Sequence, residues 1–264
     1  MIDGNSWWVT GGSKRTVPSN PRTFIRLDTT EIYTAGSGWS AGPDLPYPSS
    51  LHCFVKIDED RYFMTGGYDR QKQVHSRQYW GPSNLEKEFG QSLTLCFFQA
   101  FVYSQSTGMW TGGSSMSREA RASQCGLITH ADGKKEIVVA GGIFSSLSTI
   151  YDIDADAWRE GPPLPSVRFW GTTVPIDNTF LVVGGANQSQ RPQTVIWKYN
   201  VGDNDWDIVG DSLSTGRTHF SAFWVPNDFL HPICPFGKHK QIEFIFCNQL
   251  PTKSKNILKE PVSP

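Results

Sequence analysis

The apolar positions of this chain fall in short runs, and four of those runs end on a pair of glycines. They are Trp7-Trp8-Val9-Thr10-Gly11-Gly12, Tyr62-Phe63-Met64-Thr65-Gly66-Gly67, Ile137-Val138-Val139-Ala140-Gly141-Gly142 and Leu181-Val182-Val183-Gly184-Gly185. Runs this short suit β-strands better than helices. They are apolar at nearly every position, which predicts strands covered on both faces, as an inner strand is when its sheet is packed between two others. The glycines supply the positive φ and the close backbone approach that an abrupt exit from such a strand needs.

Downstream of each run comes a tyrosine and then a tryptophan: Tyr33 and Trp39, Tyr103 and Trp110, Tyr151 and Trp158, Tyr199 and Trp206. The last three intervals are all seven residues. A turn-rich element follows each tryptophan, clearest in Gly42-Pro43-Asp44-Leu45-Pro46 and Gly161-Pro162-Pro163-Leu164-Pro165, and three of these elements lead to an arginine: Arg121, Arg168 and Arg217. Gly112-Gly113 follows Trp110 directly and belongs to the turn, so it does not count as a fifth strand exit.

This ordered set recurs through residues 1–225 and resembles the kelch repeat. The resemblance implies an all-β propeller in which each repeat supplies a four-stranded blade. One blade is expected near 52–57, 61–67, 100–106 and 109–112, the next near 121–129, 135–142, 148–154 and 157–160, and a third near 169–176, 179–185, 194–200 and 205–208. The strands near 6–12 and 30–41 would join a lone first strand near 218–225 in one mixed blade that closes the ring. About four blades result. Kelch rings usually hold about six or seven, so the chain is expected to be a fragment of a larger ring in preference to a compact four-bladed one. Residues 79–99 interrupt a normal repeat and are expected to be an insertion. Residues 226–264 leave the pattern and are expected to be a poorly ordered tail.

Composition supports this reading and narrows the partners. The 25 Gly, 17 Pro and 10 Trp, with 19% charged residues, suit short strands, tight turns and aromatic packing. A formal net charge of -1 supplies no basic field, so nucleic acid and anionic membrane are not expected partners. No run of about 18 apolar residues is present, and the first residues lack the basic and apolar regions of a secretion signal; the compartment stays open, with cytoplasm slightly favoured. Five cysteines, Cys53, Cys96, Cys125, Cys234 and Cys247, are an odd set at irregular spacing, which predicts buried free thiols. Asn187-Gln188-Ser189 is a glycosylation sequon that matters only in a secreted chain.

The repeated tryptophans and tyrosines are expected to be inter-blade core. Arg121, Arg168 and Arg217 are the leading partner-binding candidates, because the resemblance puts them at the start of innermost strands, near the channel mouth. There their guanidinium groups would grip carboxylates in bidentate fashion. The competing reading, slightly preferred, has each arginine satisfying backbone carbonyls or a neighbouring blade. Arg118, His52 and His219 lie at the same level of the pattern. Loops after the glycine pairs add Tyr68, Asp69, Arg70, Phe144, Asn187 and Gln188. No nucleophile elbow, zinc-protease pair or phosphate loop occurs, so no catalytic residue and no cofactor is expected. His231, Cys234, His239 and Cys247 have donor chemistry at a spacing that fits no compact zinc site. The expectation is a non-catalytic module that binds another protein, with an acidic segment as ligand, through one rim. The alternative is an extracellular or enzymatic kelch propeller acting on a small molecule or glycan.

Overall fold

Each of the four glycine-pair runs forms a strand with a hydrogen-bonded neighbour on either side. The computed structural model describes residues 2–3, 6–16, 24–69, 95–96, 98–210 and 212–222. The strands in chain order are β1 (Ile2–Asp3), β2 (Ser6–Thr10), β3 (Ser13–Arg15), β4 (Phe24–Arg26), β5 (Thr30–Thr34), β6 (Gly38–Ala41), β7 (Ser50–Lys56), β8 (Arg61–Asp69), β9 (Leu95–Cys96) and β10 (Gln99–Ser104). They continue with β11 (Met109–Ser115), β12 (Gln124–Thr129), β13 (Lys135–Ala140), β14 (Ser148–Asp152), β15 (Ala157–Gly161), β16 (Thr172–Ile176), β17 (Thr179–Val183), β18 (Ile196–Asn200) and β19 (Asp205–Ile208). Blade 1 is β1-β2-β5-β6, blade 2 is β7-β8-β10-β11 with β9 on the far end of β8, blade 3 is β12-β13-β14-β15, and blade 4 is β16-β17-β18-β19. All pairings are antiparallel, and β3 and β4 form a separate hairpin.

The seven-residue interval between tyrosine and tryptophan is a hairpin that sets the two rings directly opposite each other, as in Tyr103↔Trp110, Tyr151↔Trp158 and Tyr199↔Trp206. The second strand of the blade adds a third member, by register in Tyr62-Tyr103-Trp110 and Ile137-Tyr151-Trp158 and by the stack of Phe180 on Tyr199 at 6.2 Å in Phe180-Tyr199-Trp206. Because successive side chains of a strand point to opposite faces, the next residue along each second strand faces the following blade. Trp8 stacks on Tyr62 at 4.5 Å between ring centroids, Phe63 lies 5.2 Å from Tyr151, and Val138 shares a core with Phe180 and Tyr199. The fourth-strand tryptophans then tie each blade to its predecessor: Nε1–H of Trp110, Trp158 and Trp206 donates to the carbonyls of Asp44 (2.8 Å), Ser114 (3.1 Å) and Pro162 (2.9 Å).

The glycine pairs make the rest of the seam. In the second blade, Gly66 has φ +68°, and a Cβ there would lie 2.2 Å from the Ala120 carbonyl oxygen; Gly141 and Gly184 approach Arg168 O and Arg217 O in the same way. The second glycine of each pair donates its N–H across the seam: Gly12 to Ser49 O, Gly67 to Ala120 O, Gly142 to Arg168 O and Gly185 to Arg217 O, at 2.7 to 3.0 Å.

Two features depart from the sequence-based expectation, and a third adds to it. The inner strand of blade 1 is β1 and not the strand expected near 218–225, of which 223–225 lie outside the described residues. Ile2 pairs with Trp7 and Asp3 with Ser6, and the sequence carries the turn-forming Gly4-Asn5 between them, so a local pairing with little loop entropy takes the position. Among the described residues, 218–222 form no strand; Phe220 and Ala222 pack instead on the outward face of blade 4 with Val174, Leu181, Val183 and Ile196. Second, Cys53 of β7 and Cys125 of β12 form a disulfide with Cα atoms 5.9 Å apart, in place of two free thiols. The two cysteines occupy the inner strands of adjacent blades, and β12 packs on β7. Third, the end of the expected insertion carries β9, which pairs with Tyr68 and Asp69. Residues 79–94 and 226–264, including the four candidate zinc donors, lie outside the described residues.

The disulfide closes a loop of 72 residues. The Cys53→Ser/Cys125→Ser variant is expected to lose about 2–4 kcal/mol of stability in denaturant unfolding, and reductant should reproduce the loss in the native chain but not in the variant.

Candidate binding rim

The seam places one residue per blade in a left-handed conformation, two positions beyond each carbonyl that receives a glycine N–H. These are Leu51 (φ 59°), Ala122 (φ 56°), Trp170 (φ 57°) and His219 (φ 54°). They are joined in series by their backbones: Ala122 N–H donates to Leu51 O (3.0 Å), Trp170 N–H to Ala122 O (3.4 Å) and His219 N–H to Trp170 O (3.0 Å). This chain of peptides encloses a pocket of about 150 Å³ lined by Leu51, His52, Ala122, Ser123, Trp170, Gly171 and His219. The His219 ring packs on Trp170 at 4.4 Å, and the buried Trp170 indole N–H has no hydrogen-bond partner among the described residues.

The arginines divide by position. Arg168 is 1% exposed; its Nη1 donates to Gly184 O at 2.8 Å and its guanidinium lies 4.1 Å from the Trp197 ring centroid. Arg118 does the same work in the preceding blade, with Nη1 on Gly141 O at 3.0 Å and Nη2 on Val139 O at 2.7 Å. In blade 2 the Tyr47 hydroxyl donates to Gly66 O at 3.0 Å, so three first-glycine carbonyls are capped by three different side chains. Burial lowers the pKa of Arg118 and of Arg168 to about 10, which leaves both charged at neutral pH.

Arg121 is out of step with Arg168 and Arg217: the residue equivalent to those two, by the carbonyl that receives the glycine N–H, is Ala120. Arg121 therefore turns outward, and its guanidinium lies 5.0 Å from the ring centroid of Tyr68. Arg26, in β4, lies 5.0 Å from the same ring. Neither forms an ion pair with a carboxylate among the described residues, and the Nε of each is buried without a partner. Arg217 is half-buried at the end of the series, its carbonyl taken by Gly185.

Asn187 organises its own loop by accepting N–H groups of Ser189 (3.0 Å) and Arg191 (3.1 Å) on Oδ1. Phe144 is 58% exposed and packs edge-on to Phe169. Asp69 ends β8 beside Tyr68, Gln188 is exposed, and Arg70 lies outside the described residues. The structure thus brings Tyr68, Arg121, His52 and His219 to one rim and sends Arg118 and Arg168 into the seam. The sequence reading missed Arg26, Ser123 and Trp170. Arg26 follows the first glycine pair, so the loop rule applied to blades 2, 3 and 4 reaches it when applied to blade 1 as well.

The blades define a chain of the β-propeller class. No family model matches it. Kelch-like protein 23 of Mus musculus is 24% identical over 241 residues, which cover 82% of this chain and 42% of that protein, and its Homo sapiens counterpart aligns to the same extent. Kelch repeat-containing protein kel-10 of Caenorhabditis elegans is 24% identical over 191 residues, 70% of this chain and 28% of that protein. The chain therefore spans less than half the length of these curated relatives. The solved structure of YjhT superposes with a TM-score of 0.58 at 13% identity, covering 85% of this chain and 72% of that one. The repeat in its sequence, the four-stranded blades and these relatives make the chain similar to kelch-repeat proteins.

His52 lines the pocket with Nε2 2.9 Å from Thr10 Oγ1, and burial lowers its pKa to about 4. The unfolded chain, with an ordinary histidine, takes up this proton first. Stability is expected to fall as pH drops from about 6.5 through 4. Thermal unfolding across that range should show a shallower acid slope in His52→Gln than in the native chain.

Proposed function

We propose that the chain is a non-catalytic module that binds another protein through this rim, with an acidic segment of the partner held by Arg121 and Arg26. The observation that carries the proposal is the Tyr68 ring with a guanidinium 5.0 Å away on each of two contacts and no carboxylate partner for either among the described residues. A guanidinium packed on a ring keeps its in-plane N–H fork free, the geometry that accepts a carboxylate in bidentate fashion. The pocket beside it, with Leu51, Trp170 and His219 in its wall, takes an apolar side chain of the same segment. Arg118 and Arg168 hold the rim in shape from behind through their bonds to the Gly141 and Gly184 carbonyls. The kelch-repeat relatives support a protein partner; one of them is named Kelch repeat and BTB domain-containing protein 12 of Homo sapiens.

Proximity labelling or affinity capture with the native chain and with Arg26→Ala/Arg121→Ala tests this. The variant is expected to lose the captured partner, by roughly tenfold or more in affinity per guanidinium, since a charge-assisted hydrogen bond is worth about 1.5–3 kcal/mol. Arg118→Lys, which keeps the charge behind the rim, should weaken folding more than binding. An unchanged set of partners in the double variant overturns the reading.

One observation favours an extracellular setting: a buried inter-blade disulfide is usual in oxidising compartments. Thiol labelling of acid-quenched cells decides this. Labelling of Cys53 and Cys125 only after reduction supports the oxidised state, and labelling before it places the chain in a reducing compartment.

A further inference from the structure

The loop between β17 and β18 carries the one Asn-x-Ser/Thr sequon of the sequence, Asn187-Gln188-Ser189, with no Pro at its middle position. Its base is closed by bridges of Ala186 with Phe169 and with Pro192, and Gln193 N–H donates to Gly185 O at 2.8 Å. Its tip is a compact turn. Asn187 N–H donates to Arg191 O (3.1 Å) and Gln190 N–H to Asn187 O (2.8 Å), with Gln190 left-handed at φ 59°. Ala186 is fully buried, Asn187 is half-buried and residues 188–191 are exposed, so the chain passes from core to solvent at the asparagine itself. The two ends of the Asn187 amide then have different tasks. Oδ1 accepts the N–H groups of Ser189 and Arg191 and shapes the turn. Nδ2 forms no hydrogen bond among the described residues. Asn200 builds a like turn by accepting Gly202 N–H and Asp203 N–H on Oδ1, yet its Nδ2 is held by Asp203 and Asp207 at 2.9 and 3.0 Å. Asn178 spends its Nδ2 on Thr129 O of the preceding blade, at 3.2 Å. A free amide nitrogen is therefore not a by-product of the turn.

We infer that Asn187 is an N-glycosylation site, an inference that rests on the oxidising setting favoured by the Cys53–Cys125 disulfide and not on the binding rim. The sugar comes from a lipid diphosphate-linked oligosaccharide, and a transferase that reads the Ser189 hydroxyl brings the two together. Nδ2 attacks C1 of the first sugar. The Nδ2–C1 bond forms, the bond from C1 to the diphosphate oxygen breaks, the lipid diphosphate leaves, and one Nδ2 proton passes to a base of the transferase. The product keeps Oδ1 and one Nδ2 hydrogen. Both hydrogen bonds that shape the turn therefore survive, and no bond of the folded chain is given up to make room for the sugar. The bulk of the glycan goes to the exposed tip, where residues 188–191 leave open solvent around it. A chain glycosylated before it folds can thus reach the same loop structure as an unmodified one.

The native chain, purified from the cells that make it, is treated with peptide-N-glycosidase in heavy-oxygen water. The expected result is faster migration on a gel and conversion of Asn187 to an aspartate that carries the heavy oxygen, read by peptide mass spectrometry. Asn187→Asp keeps an Oδ1 acceptor for the turn and lacks the amide nitrogen, while Ser189→Ala keeps the N–H that Oδ1 accepts and lacks the hydroxyl. Each variant should lose the glycan completely and unfold at the same midpoint as the enzymatically deglycosylated native chain; Ser189→Thr should keep the glycan. A native chain with Cys53 and Cys125 oxidised and no sugar on Asn187 overturns the inference and leaves the oxidising setting standing. Free thiols with no sugar overturn both. A mobility shift that persists in Asn187→Asp and Ser189→Ala puts the sugar elsewhere and overturns the inference as well.

Discussion

A second strand that is apolar on both faces gains from burial only when another blade stands on each side of it, and every other feature of this chain follows from that requirement. Ile137 and Val139 go to the core shared with blade 2 while Val138 and Ala140 go to the core shared with blade 4, and all four are fully buried. A blade on its own would leave half of such a strand in water, at a cost of about 25 cal/mol per Å² of apolar surface. Stability is therefore shared between neighbours along a line, as in other repeat proteins. Directional bonds add alignment to this unspecific attraction. The indole N–H groups of Trp110, Trp158 and Trp206 fix the distance between blades at the outer edge, and the glycine N–H groups fix it at the inner edge.

Within a blade, the sequence pattern was enough to place the strands, because strand, hairpin and row are all local. The seven-residue spacing of tyrosine and tryptophan sets the register of β14 with β15 and of β18 with β19 directly. Relations between blades were harder to see. Cys53 and Cys125 are 72 positions apart, and nothing in an odd count of five shows that their strands lie side by side. The mixed blade failed for the opposite reason: a hairpin through residues 2–7 is the nearer partner for β2, so a pairing that the repeat order suggested lost to one that chain proximity favours.

The rim was legible in part, and the part that was not turns on one residue. Counting from the tryptophans puts Arg121, Arg168 and Arg217 in one class, yet the seam hydrogen bonds align Ala120 with the latter two. In extended backbone a shift of one position sends a side chain to the other side. Arg168 consequently enters the seam and Arg121 reaches Tyr68. Arg118, three positions before Arg121, supplies the carbonyl cap that blade 3 would otherwise lack. Sequence spacing can rank such residues as chemically apt, but the direction of each is settled by which carbonyl meets which glycine.

The left-handed residues Leu51, Ala122, Trp170 and His219 are each held at a positive φ that costs a non-glycine residue about 1–2 kcal/mol. They keep it because each is hydrogen-bonded to the next, so none can relax without breaking the series. The rim around the pocket is therefore a stiff template whose contour is set by the backbone series itself. Whatever settles on it must do the adapting, at about 1–2 kcal/mol of ordering entropy for each residue it immobilises. On the proposed function, such a template would select for short segments, or for ones already shaped by their own fold.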